Sequence, residues 1–162
     1  MNSSRQELVR ILQSAYSGEM AAAYAYRGHW KSLSDLNEKE MVYIIEDEEW
    51  THRRQVRAML DSLGSRPRLL REIAMLLMGR GLGIACCLTG WFLPMYFAGK
   101  LESGNVRQYE TAGAHARGLG LKEFADELLK MAEAERNHEL FFMNVVNEHR
   151  LKPLMRAIFR WG

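Results

Sequence analysis

Four stretches of this chain repeat apolar residues at helical spacing, and each carries a glutamate inside its apolar stripe. The first runs Leu8, Leu12, Ala15, Glu19, Ala22, Tyr26, and the second Val42, Ile45, Glu49, His52, Val56, Met59, Leu63. A third sets Glu102 among Ala98, Val106 and Tyr109, and the fourth reads Phe124, Leu128, Met131, Glu135, His138, Phe142, Val145. Withdrawing an ionised carboxylate from water costs several kcal/mol even after the surroundings relax. Four inward glutamates must therefore be protonated, paired or bound to metal, and the fold has to satisfy all four at once.

The stripes belong to an all-α chain. Good helix formers fill the segments between its three prolines, Pro67, Pro94 and Pro153. Ser4-x-x-Glu7 and Asp35-x-x-Glu38 read as capping boxes, predicting helix one from about Ser4 to His29 and helix two from Asp35 to Gly64. The segment from Arg71 to Arg117 predicts a short apolar helix punctuated by Gly79, Gly81 and Gly83, then a longer helix three. The last core helix follows Gly118 and Gly120 and ends before Pro153. Two short loops and one long crossover between helices two and three are the connections of a ferritin-like four-helix bundle. Residues 1–150 are expected to form that bundle as one domain, and residues 151–162 a short basic amphipathic tail.

Glu49 and His52, and again Glu135 and His138, are three residues apart. On a helix that spacing projects both side chains from one face toward a common ion. Composition gives roughly 0.5 such pairs by chance, and two occur. The layout also repeats: Glu102 follows Glu19 by 83 residues, while Glu135 and His138 follow Glu49 and His52 by 86. Each half of the chain thus supplies one lone Glu and one Glu-x-x-His. Four carboxylates and two imidazoles form an oxygen-rich set that suits two iron ions, with manganese as the alternative; zinc is satisfied with fewer ligands. Open positions on such a pair would admit dioxygen as co-substrate.

Other charged residues read more plainly. Glu46, Asp47, Glu48, Glu133 and Glu139 are expected on a solvated helix face, and His29, His115 and His149 at the surface or at helix ends. Glu110 competes with Glu102 for the third-helix position but breaks the repeat spacing. Tyr109 and Tyr26 are candidates for hydrogen bonding to the ligands or for electron relay, with core packing the plainer role for Tyr26.

The net charge of +2 gives no reason to expect nucleic acid. Cys86 and Cys87 are adjacent, a spacing unsuited to a bridge between them, so a reducing, cytoplasmic setting is expected. The polar start "MNSSRQELVR" lacks the apolar stretch of a secretory signal.

Several segments together resemble the demethoxyubiquinone hydroxylase family, membrane-associated di-iron monooxygenases within the ferritin-like superfamily. "SGEMAAAYAYRGH" is similar to the family's first-helix Glu segment, "EEWTH" to its Glu-x-x-His, "LESGNVRQY" to its third-helix Glu segment and "EAERNH" to its fourth-helix motif. The Gly-rich crossover "MGRGLGIACCLTGWFLP" resembles the family's as well, while Gln108-Tyr109 stands where the family carries His-Tyr, and the family's usual Asp and His before the first Glu are missing here. The resemblance implies Glu19, Glu49, His52, Glu102, Glu135 and His138 as iron ligands, a hydrophobic quinone-like substrate, and hydroxylation as the reaction. No flavin, nicotinamide or rubredoxin-like motif is present, so an external electron donor is expected.

Residues 81–99 are uncharged and about long enough to span a bilayer, but Pro94 and four glycines argue instead for an apolar rim. That rim and the basic amphipathic tail "EHRLKPLMRAIFRWG" are expected either to touch the inner face of the cell membrane peripherally or to pack as core, cap or homo-oligomer contact. The rival reading is a ferritin-like ferroxidase or rubrerythrin-like peroxide scavenger, and a third is a metal-free helical adaptor. A hydroxylase calls for an apolar way to the metals from the crossover side, a ferroxidase for an acidic one.

Overall fold

A computed structural model describes residues 2–162. It consists of six helices: α1 (Asn2–Ser32), α2 (Leu36–Ser62), α3 (Leu69–Leu88), α4 (Phe92–Gly118), α5 (Lys122–Val145) and α6 (Lys152–Phe159), with no strand among the described residues. Asp35 caps α2, accepting from the N–H groups of Asn37 and Glu38 at 2.9 and 3.0 Å. Glu38 does not complete the box; its carboxylate accepts from the Trp91 indole at 2.7 Å instead. The expected cap at Ser4 is absent, because α1 already starts at Asn2. Glu7 is engaged with Arg10, whose Nε donates to it at 2.9 Å. Just beyond the ends of α2 and α4 stand Gly64 and Gly120, whose φ values of 62° and 77° are left-handed conformations that glycine adopts without steric cost.

Cross-helix contacts fix the directions. Tyr26 reaches Glu102 and Tyr109 reaches Glu19, so α4 runs antiparallel to α1. His52 meets Glu135 and His138 meets Glu48, so α5 runs antiparallel to α2. With α1 paired to α2 and α4 paired to α5, the bundle is up-down-down-up, the order a long crossover permits. This is the ferritin-like four-helix bundle that the periodicity predicts. Two apolar clusters fill it. One gathers Leu8, Leu12, Val56, Leu60, Ala112 and Leu128; the other gathers Ala22, Ile45, Met95, Tyr96, Phe142 and Val146. The four stripe glutamates lie between them, far from the helix ends where water would reach a polar side chain.

The crossover departs from expectation. Gly79, Gly81 and Gly83 do not interrupt it; α3 runs unbroken for 20 residues, parallel to α1 and packed against it. Two of these glycines are contact points. A Cβ on Gly79 would lie 2.4 Å from the Ala21 carbonyl oxygen, one on Gly83 2.8 Å from that of Tyr24, and one on Gly28 of α1 2.2 Å from that of Gly83. Backbone meets backbone here, so no larger residue fits unless the helices separate. The opposite face of α3 is apolar and exposed, with Leu70, Leu77, Ile84 and Leu88 each more than 60 % accessible. No helix among the described residues is long and apolar enough to cross a membrane.

The tail folds back onto one end of the bundle. The Tyr96 hydroxyl donates to the Trp161 carbonyl at 2.7 Å, and the Trp161 indole donates to Glu139 at 2.8 Å. Gly99 leaves the room that the Trp161 ring occupies, since a Cβ there would lie 2.2 Å from it. Leu154 and Ile158 of α6 remain exposed.

Gly28→Ala is expected to destabilise the protein by about 1–3 kcal/mol, because the added methyl meets the α3 backbone. Urea unfolding measures the loss, and limited proteolysis should cut first within α3; an unchanged midpoint would contradict the close approach.

Candidate metal centre

Glu19 of α1, Glu49 of α2, Glu102 of α4 and Glu135 of α5 come together with His52 and His138, and all six side chains are buried. Their donor atoms form two groups, each within a mutual 4.8 Å. One holds Glu19, Glu49, His52 and Glu135; the other holds Glu49, Glu102, Glu135 and His138. Glu49 and Glu135 belong to both. The two Glu-x-x-His glutamates thus stand in the middle, while each lone glutamate shares an end with one histidine. Glu110 is excluded, since its carboxylate is half-exposed and paired with Arg136 at 2.7 Å.

Both imidazoles turn Nδ1 inward. His52 Nδ1 lies 3.0 Å from Glu135 and 4.0 Å from Glu19, and His138 Nδ1 lies 3.5 Å from Glu135 and 3.9 Å from Glu49. The ring centroids are 6.5 Å apart. Glu49 and Glu135 have both carboxylate oxygens buried without a hydrogen-bond partner among the described residues, and so do Glu19 Oε2 and the two Nδ1 atoms. Buried polar atoms are rarely left unsatisfied in native proteins. Seven of them converging on one volume, all oxygens and imidazole nitrogens, fit a pair of cations.

Two tyrosines complete the arrangement. Tyr109 donates to Glu19 and Tyr26 donates to Glu102. Each sits seven residues after the glutamate of its own helix and reaches the glutamate of the other, so the internal repeat extends to the tyrosines. That seven-residue interval is legible in the sequence and gives Tyr26 a polar role beside packing. Burial, then the neighbouring carboxylates, hold both phenols well above the usual tyrosine range, so they remain donors.

Glu48 is exposed, as expected, and it also lies 2.5 Å from His138 Nε2 and so fixes that ring with Nδ1 turned inward. Two other expectations need correction. Glu46 is buried; it accepts from Arg27 Nε and the Trp30 indole, each at 2.7 Å, and ties α2 to α1. His29 is buried as well, stacked beside Phe142. Helical spacing from Glu49 could not find Glu48, which acts on another helix. His149 is half-buried and stacks on Phe92 at 3.9 Å, and His115 is half-buried near the end of α4.

Beside the centre, on the crossover side, α1, α3 and α4 enclose a cavity of about 290 Å³. Its walls include Tyr26, His29, Leu82, Cys86, Phe97 and Leu101, and no Asp, Glu, Lys or Arg among the described residues lines it. Tyr26 belongs to this wall and also bonds Glu102, so the cavity and the carboxylate cluster share a side chain.

Without cations the cluster is electrostatically strained. Burial first, then neighbouring carboxylates, raises the Glu49 and Glu102 carboxyls well above the usual range, and burial raises Glu19. Burial also acts on Glu135, but the His138 and His52 imidazoles beside it outweigh it and hold that carboxyl low. The histidines feel burial downward and Glu135 upward, and the net shift is up for both. The metal-free fold therefore retains protons that the unfolded chain releases, above pH 4.5 for the three carboxyls and above 6.5 for the histidines. Stability falls as pH rises through those windows. Glu135 has the opposite sign but acts below pH 4.5, and His29, which burial pushes down to about 4, has the opposite sign only below 6.5. From pH 6.5 to 8 the Tm of the metal-free protein should thus decline, by about 2–4 °C for each kcal/mol lost, and divalent iron should reverse the decline. A flat or rising profile in a thermal melt series would contradict the shifts.

The chain matches the family model for the ubiquinone biosynthesis protein COQ7 over residues 6–110. Neither the curated proteins nor the solved structures give a match. The matched segment covers α1 to α3 and most of α4, and it carries Glu19, Glu49, His52 and Glu102. Glu135 and His138 lie beyond it and join the site through the packing of α5. On a match that spans well over half its length, the chain belongs to the COQ7 family, enzymes of ubiquinone biosynthesis.

Proposed function

We propose that the protein is an oxygen-dependent di-iron monooxygenase that hydroxylates a hydrophobic aromatic ring, a demethoxyubiquinone-like quinone. The observation that carries this reading is the pairing of a shared-carboxylate centre with an uncharged cavity on the crossover side, joined through Tyr26. An iron-storing or peroxide-scavenging role would call for a polar approach, and the cavity offers an apolar one.

In this reading Glu19, Glu49, His52 and Glu135 would hold one iron ion and Glu49, Glu102, Glu135 and His138 the other, with Glu49 and Glu135 common to both groups. When bound, the pair supplies the redox chemistry by which dioxygen, two electrons and two protons convert a ring C–H bond to C–OH and release water. The electrons come from an external donor. The protein's own groups set the conditions. Glu48 orients the His138 ring through Nε2. Tyr26 and Tyr109 keep their protons on the outer carboxylates and so hold Glu102 and Glu19 in place. The two apolar clusters above and below keep bulk water from the centre.

The membrane enters through the rim of the cavity. Leu82, Phe97 and Leu101 both line it and remain partly exposed, next to the exposed apolar face of α3. Arg66, Arg68 and Arg71 flank the start of that face. This combination suits peripheral contact with an anionic lipid surface, the inner face of the cell membrane, from which an isoprenoid-tailed ring can enter without crossing water.

Iron-loaded protein, chemically reduced and exposed to oxygen with a demethoxyquinone of short tail, should yield a product heavier by one oxygen atom in mass spectrometry, with the label of ¹⁸O₂ incorporated. Oxidation of the iron with the quinone left unchanged would favour the ferroxidase reading instead.

A further inference from the structure

His29 stands one helical turn beyond Tyr26 on α1 and is only 2 % exposed. Its ring lies near-parallel to two others, with centroids 6.5 Å from Tyr26 and 6.2 Å from Phe142. Those rings fix the plane of the imidazole, and its Nε2 has no hydrogen-bond partner among the described residues. Leaving such an atom unsatisfied costs on the order of 1–3 kcal/mol. Phenylalanine would fill the same slot between aromatic rings without that cost, so packing alone does not explain a histidine here.

The same ring lines the apolar cavity. Most of the polar groups around it are engaged: the Tyr26 hydroxyl donates to Glu102, and the Thr89 hydroxyl donates to the Ala85 carbonyl at 2.8 Å. Cys86 offers only a weakly bonding thiol. The His29 imidazole is the strong polar group that remains on this wall. Burial pushes the imidazole down to about 4, so it is neutral near pH 7. A neutral imidazole can donate to a quinone carbonyl from one tautomer and accept from a hydroquinone hydroxyl in the other.

We infer that His29 is a positioning residue whose imidazole hydrogen-bonds a ring oxygen of the substrate and holds the ring against Tyr26. The inference rests on the reading of the cavity as the quinone site. The turn between residues 26 and 29 rises about 4.5 Å, so a ring anchored at His29 lies beside the tyrosine that touches Glu102. The apolar walls then supply affinity while His29 sets orientation, so that one ring carbon faces the centre.

The test compares two probes of equal tail length, a benzoquinone and an alkylbenzene without ring oxygens, by calorimetric titration of the full chain in detergent. His29→Phe keeps the stacking and removes the polar atom; His29→Gln keeps a polar atom. His29→Phe should weaken quinone binding about tenfold, the scale of one buried hydrogen bond, and leave the alkylbenzene unchanged, with metal content preserved and Tm equal to or above that of wild type. His29→Gln should restore most of the loss. Equal quinone affinity in wild type and His29→Phe would overturn the inference and leave the cavity reading standing, and an equal loss for both probes would reduce His29 to packing. Wild-type protein that binds neither probe would overturn the cavity reading and this inference with it.

Discussion

Four carboxylates held within a few ångströms of one another, in an interior closed off by apolar clusters, set the terms for everything else in this molecule. Mutual repulsion and lost hydration both oppose ionisation, and the two histidines can offset only part of the charge. The folded chain tolerates the arrangement because the apolar layers on either side bury enough surface to carry an unfavourable centre. Such a layer is a poor way to stabilise a bundle and a suitable way to hold cations, which supply the missing positive charge and coordinate the oxygens and nitrogens left without partners.

The internal repeat explains how one centre can serve two ions. α1 with α2, and α4 with α5, each present a lone glutamate and a Glu-x-x-His pair. Because the pairs face each other antiparallel, the two central glutamates fall into both donor groups, and each tyrosine crosses to the opposite half. α3 breaks the symmetry. Its glycines let it lie so close to α1 that the upper part of that contact walls a cavity, and its outer face stays free and apolar. The symmetric part thus gathers donor groups that could hold cations, and the asymmetric part adds an apolar cavity on one side.

Much of this is legible in the residues. Helical periodicity locates the four core helices, and a glutamate in each stripe marks the six donors, since a charged side chain persists at a core position only with a partner or an ion to offset its lost hydration. What periodicity cannot show is contact between helices. Glu48 and Glu46 read as surface because their own helix faces them outward, yet α5 and α1 supply their partners. His29 reads as a helix-end histidine because the apolar stripe of α1 fades there, whereas the helix continues to Ser32 and Phe142 of α5 stacks beside the ring. Gly79 and Gly83 read as breaks because a glycine that permits close packing and one that ends a helix look alike in a single sequence.

The central claim is that six side chains from four helices hold two redox-active cations. Anomalous diffraction at the iron edge, from crystals grown with ferrous iron in the absence of oxygen, tests it most directly. The account predicts two peaks per chain, roughly 3.5–4 Å apart, one beside Glu19 and His52 and one beside Glu102 and His138, with Glu49 and Glu135 between them. A single peak, or iron bound only at the protein surface, would contradict it.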